Sequence, residues 1–288
     1  MTRSASSPAL AVTGSTGRLG RRVADRLSAA GLAQRLVVRD PDRAPSLPGA
    51  EAVRADYSDG AAARAALEGV TTLFMVSGAE EPGRVEAHRT FIDAAAAAGV
   101  THLVYTSFFG AAPDATFTLA RDHWATEEHI AASGLNATIL RDNLYIDFFP
   151  LMVGDDGVLR GPAGEGRVAA VTQDDIADVA VAVLREPDKH VNARYDLTGP
   201  AALTLREVAA TIAEVTGDKV SYQDESLNEA YASRAKYGAP AWQVDAWVST
   251  YTAIAAGELD GVTTAVPTLT GHPATSLAEH LESVKRAG

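Results

Sequence analysis

The stretch Ala9-Leu10-Ala11-Val12-Thr13-Gly14-Ser15-Thr16-Gly17-Arg18-Leu19-Gly20 runs a short apolar strand directly into a glycine turn. The next residues, Arg21-Arg22-Val23-Ala24-Asp25-Arg26-Leu27, carry helical patterning. Strand, glycine turn and helix in this order build a dinucleotide-binding βαβ unit. Gly14 permits the tight turn, Gly17 lets backbone N–H groups approach a pyrophosphate, and Gly20 allows close packing of helix on strand. The spacing is Gly-x-x-Gly-x-x-Gly, with a threonine before it. In a surface loop such a triplet would mean only a turn; its place between strand and helix is what points to a nucleotide.

Outward from this turn, apolar bursts alternate with helical stretches. Strands are predicted at 9–12, 35–38, 52–55, 72–76, 102–105 and 137–140, with helices at 18–30, 61–67, 84–98 and 122–132. This alternation predicts an α/β fold, a Rossmann-like doubly wound parallel sheet. The second half reads differently. Residues 154–166 suggest a hairpin or loop, and Gln173-Asp174-Asp175 a cap for a helix at 176–184. A late strand is expected at 195–197 and a capping box at Thr204 and Glu207. The rest is mostly helical and ends in a helix at 275–284. Two regions follow: an NAD(P)-binding domain over 8–150, and a smaller C-terminal α/β substrate-capping region over 151–288 that partly returns to the sheet.

The chain has 288 residues, 47% of them hydrophobic, and a formal charge of −12. An acidic balance argues against nucleic acid and against anionic membranes. There are no cysteines, which excludes disulfides, thiolate metal sites and cysteine nucleophiles. No His-Glu-x-x-His pattern or tight acid cluster appears, so no metal is expected. Residues 1–8 read as a frayed extension and not a signal peptide, which makes the cytoplasm the expected location.

Position 39 bears on which dinucleotide. NAD-selective sites place an acid at the end of the second strand, to hold the ribose 2′-OH. Here Leu36-Val37-Val38 is followed by Arg39, whose planar fork of donors suits a 2′-phosphate. Arg18 supplies a second cation, and NADP is the expected cofactor. The competing reading gives a 2′-OH to Asp40, which precedes Pro41 and equally suits a turn. Asp56-Tyr57, after the third strand, is expected near the adenine. Ser77 and Gly78, after the fourth, are expected along the path of the nicotinamide half.

A search for Tyr-x-x-x-Lys, the acid pair of short-chain dehydrogenases, fails: none of the eight tyrosines has lysine four positions on. Other segments carry a specific resemblance: Val38-Arg39-Asp40-Pro41, Ala55-Asp56-Tyr57, Tyr105-Thr106-Ser107, Ile139-Leu140-Arg141-Asp142-Asn143 and Thr270-Gly271-His272-Pro273-Ala274-Thr275. Over nearly its whole length the chain resembles the NmrA-like atypical short-chain dehydrogenases, in particular the bacterial type-2 NAD(P)H:quinone oxidoreductases. The resemblance implies that Gly14, Ser15, Thr16, Gly17, Arg18 and Leu19 hold the pyrophosphate and Arg39 the 2′-phosphate. It further implies that Ser77, Gly78 and Ala79 contact the cofactor ribose. Asp142, Asn143, Leu144 and Tyr145, in a strip running to Asp147, would lie against the nicotinamide. One departure bears on the substrate. Such proteins tend to read Leu-Arg-Asn-Gly-Trp-Tyr where this chain has Leu140-Arg141-Asp142-Asn143-Leu144-Tyr145, which adds a carboxylate and removes a flat stacking surface.

Counted back from Ser133-Gly134-Leu135, the usual lysine position falls on His123 and the tyrosine position on Leu119. His123 and Glu127 share a helical face, so a His–Glu pair is feasible. The bland alternative is a partly exposed histidine with Trp124 packing inward. Reducing a ketone builds a basic alkoxide that needs a positioned acid, whereas a quinone becomes a far less basic phenolate. Holding ring against nicotinamide is then most of the task, with His123, Tyr145 or solvent delivering the proton. Phe108, Phe109, Tyr145, Phe148 and Phe149 either sandwich a flat substrate or fill the core. The expectation is thus an NADPH-dependent oxidoreductase acting on a quinone-like small molecule, with a homodimer left open. The alternative is a non-enzymatic NAD(P) sensor of the NmrA type.

Overall fold

The computed structural model describes residues 8–287; the tail expected to fray lies, except for Pro8, outside them. Seven strands form one sheet in the order β3-β2-β1-β4-β5-β6-β9. They are β1 (Leu10–Thr13), β2 (Gln34–Val38), β3 (Ala50–Arg54), β4 (Thr72–Met75), β5 (His102–Phe108), β6 (Asn136–Asp142) and β9 (Ala193–Leu197). Helices α1 (Arg18–Ala29), α2 (Gly60–Ala66), α3 (Arg84–Ala98), α4 (Thr118–Ala132) and α5 (Gln173–Arg185) connect them. β1 pairs in parallel with both β2 and β4, so the strand order reverses at that point. In open parallel sheets this reversal opens a crevice at the carboxyl ends of the strands. The doubly wound parallel sheet expected from the alternation is present.

The chain forms two compact units, interleaved in sequence. The first takes residues through Ser107, then Asp122–Arg141 and Ile176–Tyr195; the second takes Phe108–Arg121, Asp142–Asp175 and everything from Asp196 on. Beside the single boundary expected near 150, the chain thus passes between units five times, near 107, 121, 141, 175 and 195. The first unit's core gathers Leu73, Met75, Phe91, Ile92, Leu103, Tyr105 and Ile130. On α1 the buried residues Leu19, Val23, Ala24 and Leu27 recur at helical spacing, which seats one stripe of the helix on the sheet.

The second unit holds β7 (Val158–Gly161), β8 (Arg167–Val168), β10 (Leu203–Thr204), α6 (Leu205–Thr216), β11 (Ser221–Asp224), α7 (Leu227–Arg234), α8 (Ala241–Ala255), α9 (Ala265–Thr270) and α10 (Leu277–Ala287). Its core includes Phe108, Phe117, Ile146, Phe149, Val208, Ile212, Ile254 and Leu281. The 154–166 stretch makes a tight reversal with a Val153–Leu159 bridge, and β7 then pairs in parallel with β11. The capping box of Thr204 and Glu207 starts α6. The expected cap at 173–175 is corrected: Thr172 accepts the Asp175 N–H at 3.0 Å, and the Asp175 carboxylate instead receives the Thr275 N–H and hydroxyl. Among the described residues no helix is long and apolar enough to cross a membrane.

Candidate cofactor site

In the first unit, β1 runs into its turn with Gly14 at φ +68°, a conformation that glycine adopts without steric cost. The Gly17 N–H closes the turn on the Gly14 carbonyl at 2.8 Å. A Cβ on Gly20 would collide with that same carbonyl and with the Thr13 carbonyl, so only glycine lets α1 start this close to β1. Gly17 caps α1 and offers no side-chain acceptor to the first-turn N–H groups. The first N–H groups of any helix lack intrahelical partners and sum to a partial positive charge. Beside them, the Ser15 hydroxyl is buried and has no hydrogen-bond partner among the described residues. A buried hydroxyl left unpaired is costly, and a phosphate oxygen would satisfy it together with the helix N–H groups. Thr16, Gly17 and Arg18 are exposed at the turn, while the Leu19 side chain is buried.

Arg39 follows β2 and is exposed, as is Asp40. The Asp40 carboxylate accepts the Asp42 N–H at 3.2 Å and caps a short 3-10 turn over Pro41–Arg43. Asp40 is therefore engaged as a turn residue. After β3, the Asp56 carboxylate takes the Ser58 hydroxyl at 2.7 Å and its N–H at 2.9 Å. Those two bonds hold its carboxyl below the usual range, and the charge of Arg39 adds a smaller pull.

The end of β4 is built differently, because side chains take over from the sheet ladder. The Val76 N–H donates to Thr13 Oγ1 at 2.9 Å, and the Val76 carbonyl accepts from the Tyr57 hydroxyl at 2.6 Å. Tyr57 and Thr13 also bond to each other at 2.6 Å. The Ser77 N–H donates to Thr106 Oγ1 at 2.8 Å, and the Gly78 N–H to His88 Nε2 at 2.8 Å. The Gly78 carbonyl accepts from Arg84 Nε at 3.1 Å. Ala79 is exposed at the end of this run.

Behind it lies a buried polar network. His123 is only 7% exposed, which overturns the reading of a surface histidine; its neighbour Trp124 is half-buried. Its Nε2 stands 3.1 Å from Arg84 Nη2 and its Nδ1 3.1 Å from the Tyr105 hydroxyl. A guanidinium only donates, so Nε2 accepts and the ring proton resides on Nδ1. Burial first, and Arg84 second, hold the imidazole well below its ordinary range, so it is neutral. Glu127 instead receives Arg141 in a two-pronged pair at 2.7 and 2.8 Å and a short bond from Ser107 Oγ. Sequence reasoning missed Arg84, His88 and the bonds that Tyr57, expected near the adenine, makes at the end of β4. The first two were findable: with Phe91 and Ala95, positions 84 and 88 continue the buried stripe of α3.

The strip after β6 belongs to the second unit. The Tyr145 hydroxyl donates to Asp142 at 3.1 Å, and Asp142 is buried. Asn143 is a strut: its amide N–H donates to the Leu259 carbonyl at 3.1 Å, and its amide oxygen takes the Leu144 N–H at 2.8 Å. Leu144 is half-buried and packs on the core. The aromatic residues divide. Phe108 and Phe149 are core, whereas the Tyr145 ring lies 5.3 Å from that of Phe148, which is 39% exposed.

A doubly wound parallel sheet, a glycine turn opening α1 and an unpaired buried hydroxyl at that turn define a Rossmann-type dinucleotide-binding protein. Residues 14–187 match the family described as NAD(P)H-binding, and the chain belongs to that family. It is 35% identical to quinone oxidoreductase 2 of Escherichia coli K12, over 94% of this chain and 96% of that protein. The solved structure of the NADPH-dependent quinone oxidoreductase of Escherichia coli, complexed with NADPH, superposes at a TM-score of 0.88 with 33% identity. That match covers 96% of this chain and 99% of the other. NmrA, a negative transcriptional regulator, shares the fold at a TM-score of 0.76 with 14% identity, covering 97% of this chain and 96% of that one. These likenesses place the chain among the NAD(P)H-dependent oxidoreductases.

Proposed function

We propose that the protein reduces quinones or similarly conjugated acceptors with NADPH, without flavin or metal. The observation that carries the cofactor half is the Ser15 hydroxyl, buried and unpaired beside the α1 N-terminus. Gly14, Ser15, Thr16, Gly17, Arg18 and Leu19 would hold the pyrophosphate, largely through backbone N–H groups. Arg39 would bind the 2′-phosphate, a reading strengthened because Asp40 is engaged within its own turn. Asp56 would sit by the adenine, and Ser77, Gly78 and Ala79 along the ribose. Asp142, Asn143, Leu144 and Tyr145 keep the nicotinamide-side role that the resemblance gives them, Asn143 through its backbone. When bound, NADPH supplies the hydride.

The residues of the chain then have two tasks. One is to hold an aromatic acceptor at reacting distance, which orientation alone rewards strongly. The other is to let the reduced acceptor take a proton. Tyr145, with its hydroxyl on Asp142, is the side-chain donor we assign. His123 is neutral and accepts from Arg84, so we assign it to positioning and not to proton supply. The absence of Tyr-x-x-x-Lys fits an acceptor whose reduced form is a stabilised phenolate.

The test is oxidation of NADPH, followed by loss of the nicotinamide absorbance, with a simple benzoquinone added. Saturable oxidation, faster than with NADH, is expected. Tight NADPH binding without turnover across several quinones would sink the quinone assignment and leave cofactor binding standing.

A further inference from the structure

Three consecutive amides at the end of β4 are held by side chains from three different elements: Thr13 of β1, Thr106 of β5 and His88 of α3. At Gly78 the hold is two-sided, since His88 takes the N–H and Arg84 binds the carbonyl. These two residues are one helical turn apart on α3, and both are buried, at 0% and 5% exposure. We propose that His88 and Arg84 are positioning residues of the cofactor site, a clamp on the Gly78 peptide that fixes it for contact with the ribose on the nicotinamide side. This rests on the reading that residues 77–79 line the cofactor.

Three features argue that the clamp is built for position and is not merely core filling. First, a buried guanidinium is expensive unless it is well paired. Yet Arg84 is bonded to two neutral acceptors, the Gly78 carbonyl and His123, with the nearest Asp122 oxygen 3.8 Å away. Second, the donors around His88 fix one tautomer. Its Nε2 must accept from the Gly78 amide, so Nδ1–H faces Thr126 Oγ1 at 2.9 Å, and that hydroxyl donates onward to the Asp122 carbonyl at 2.8 Å. A protonated ring would present a second N–H to the Gly78 amide, and the ring's basicity is correspondingly lowered, to about 3, chiefly by burial. Third, position 78 leaves no slack: a Cβ there would stand 3.1 Å from His88 Nε2. Side chains have replaced the ladder where β4 ends, and a peptide pinned at both polar atoms is preorganised for whatever it contacts.

The test compares His88→Ala, His88→Gln and His88→Asn by direct titration with NADPH and NADH, alongside their thermal unfolding. The glutamine amide oxygen reaches about where Nε2 lies, whereas the asparagine amide falls short of it. Removing the acceptor should weaken both cofactors about tenfold, the scale of one lost hydrogen bond, and leave the NADPH-to-NADH ratio unchanged. His88→Gln should recover most of that loss and His88→Asn should not. A folded His88→Ala that binds as tightly as the unaltered protein overturns the clamp, and so does a glutamine variant as weak as the alanine one. If the unaltered protein binds neither nucleotide, the cofactor reading fails first and takes the clamp with it. Amide hydrogen exchange at Gly78 in the unaltered protein needs no variant. Slow exchange, like that of the neighbouring strand amides, is expected, and fast exchange overturns the clamp.

Discussion

The glycine turn after β1 and the peptides after β4 sit at the ends of adjacent parallel strands, yet they handle their polar groups in opposite ways. At the turn, Ser15 is buried without a partner among the described residues, and the helix cap offers its first-turn N–H groups no side-chain acceptor. At the end of β4, each N–H from Val76 to Gly78 is held by a side chain. The difference follows from what each would bind. A pyrophosphate is a strong acceptor, best met by donors that nothing else has claimed. A ribose is a weaker partner that rewards a fixed surface. One region keeps its donors open, and the other commits them to rigidity.

The largest effect expected from breaking this contrast is at Gly20. In Gly20→Val the new side chain meets backbone that cannot yield, so α1 must retreat from β1. NADPH affinity should fall at least about 100-fold, and overpacking should cost roughly 1–3 kcal/mol of stability. Calorimetric titration together with thermal unfolding checks both. Next comes Arg39→Ala, which should weaken NADPH roughly 10- to 100-fold, the range for hydrogen bonds to a charged group, and leave NADH unchanged. Equal losses for both nucleotides would remove the 2′-phosphate assignment.

Thr106→Val probes the rigid region. It strips the acceptor from the Ser77 N–H while keeping the side chain's shape. Leaving a half-buried donor unpaired should cost about 1 kcal/mol of unfolding free energy, the low end for a lost partner, measurable by denaturant titration. Acid probes the same region through His88. Unfolded, the imidazole binds a proton below about 6.5; folded, it resists until about 3. Between those values the unfolded chain holds the extra proton, so this contribution is whole above 6.5 and is lost as pH falls through the window. The slope is about 1.4 kcal/mol per pH unit for one group. His123, lowered in the same sense, adds to it. His88→Gln should flatten the curve above the carboxylate range, and an unchanged curve would mean that His88 does not titrate this way.

The open region was legible in the sequence and the rigid one largely was not. A phosphate-binding turn needs glycines at fixed spacing, and these survive as a pattern that can be read off residues 14–20. The β4 end is assembled from Thr13, Tyr57, Arg84, His88 and Thr106, far apart in the chain and unremarkable individually. Thr106 and Ser107 even disguised the strand that carries them. The apolar run suggested that β5 stops at 105, whereas all seven residues of His102–Phe108 are buried. Their hydroxyls are matched by Ser77 and Glu127 and not by water. His123 was found by counting, but its burial was not, because its polar partners, Arg84 of α3 and Tyr105 of β5, lie far from it in the chain.

The smallest expected effect on the free protein separates the two regions most cleanly. Ser15→Ala deletes a buried hydroxyl that has no partner among the described residues. Removing an unsatisfied polar atom relieves a desolvation cost, so stability without nucleotide should hold or rise slightly. With NADPH the sign reverses, because the hydroxyl would then be the donor that the phosphate accepts. Affinity should fall by about 1.5 kcal/mol, the low end for a hydrogen bond to a charged group. Thr106→Val, by contrast, should lower stability whether or not nucleotide is present. Unfolding measured with and without saturating NADPH therefore gives Ser15→Ala a loss only in the ligand-dependent shift. A drop in nucleotide-free stability comparable to that of Thr106→Val would show that Ser15 is part of the packed frame, and the contrast between open and committed donors would collapse at its most direct point.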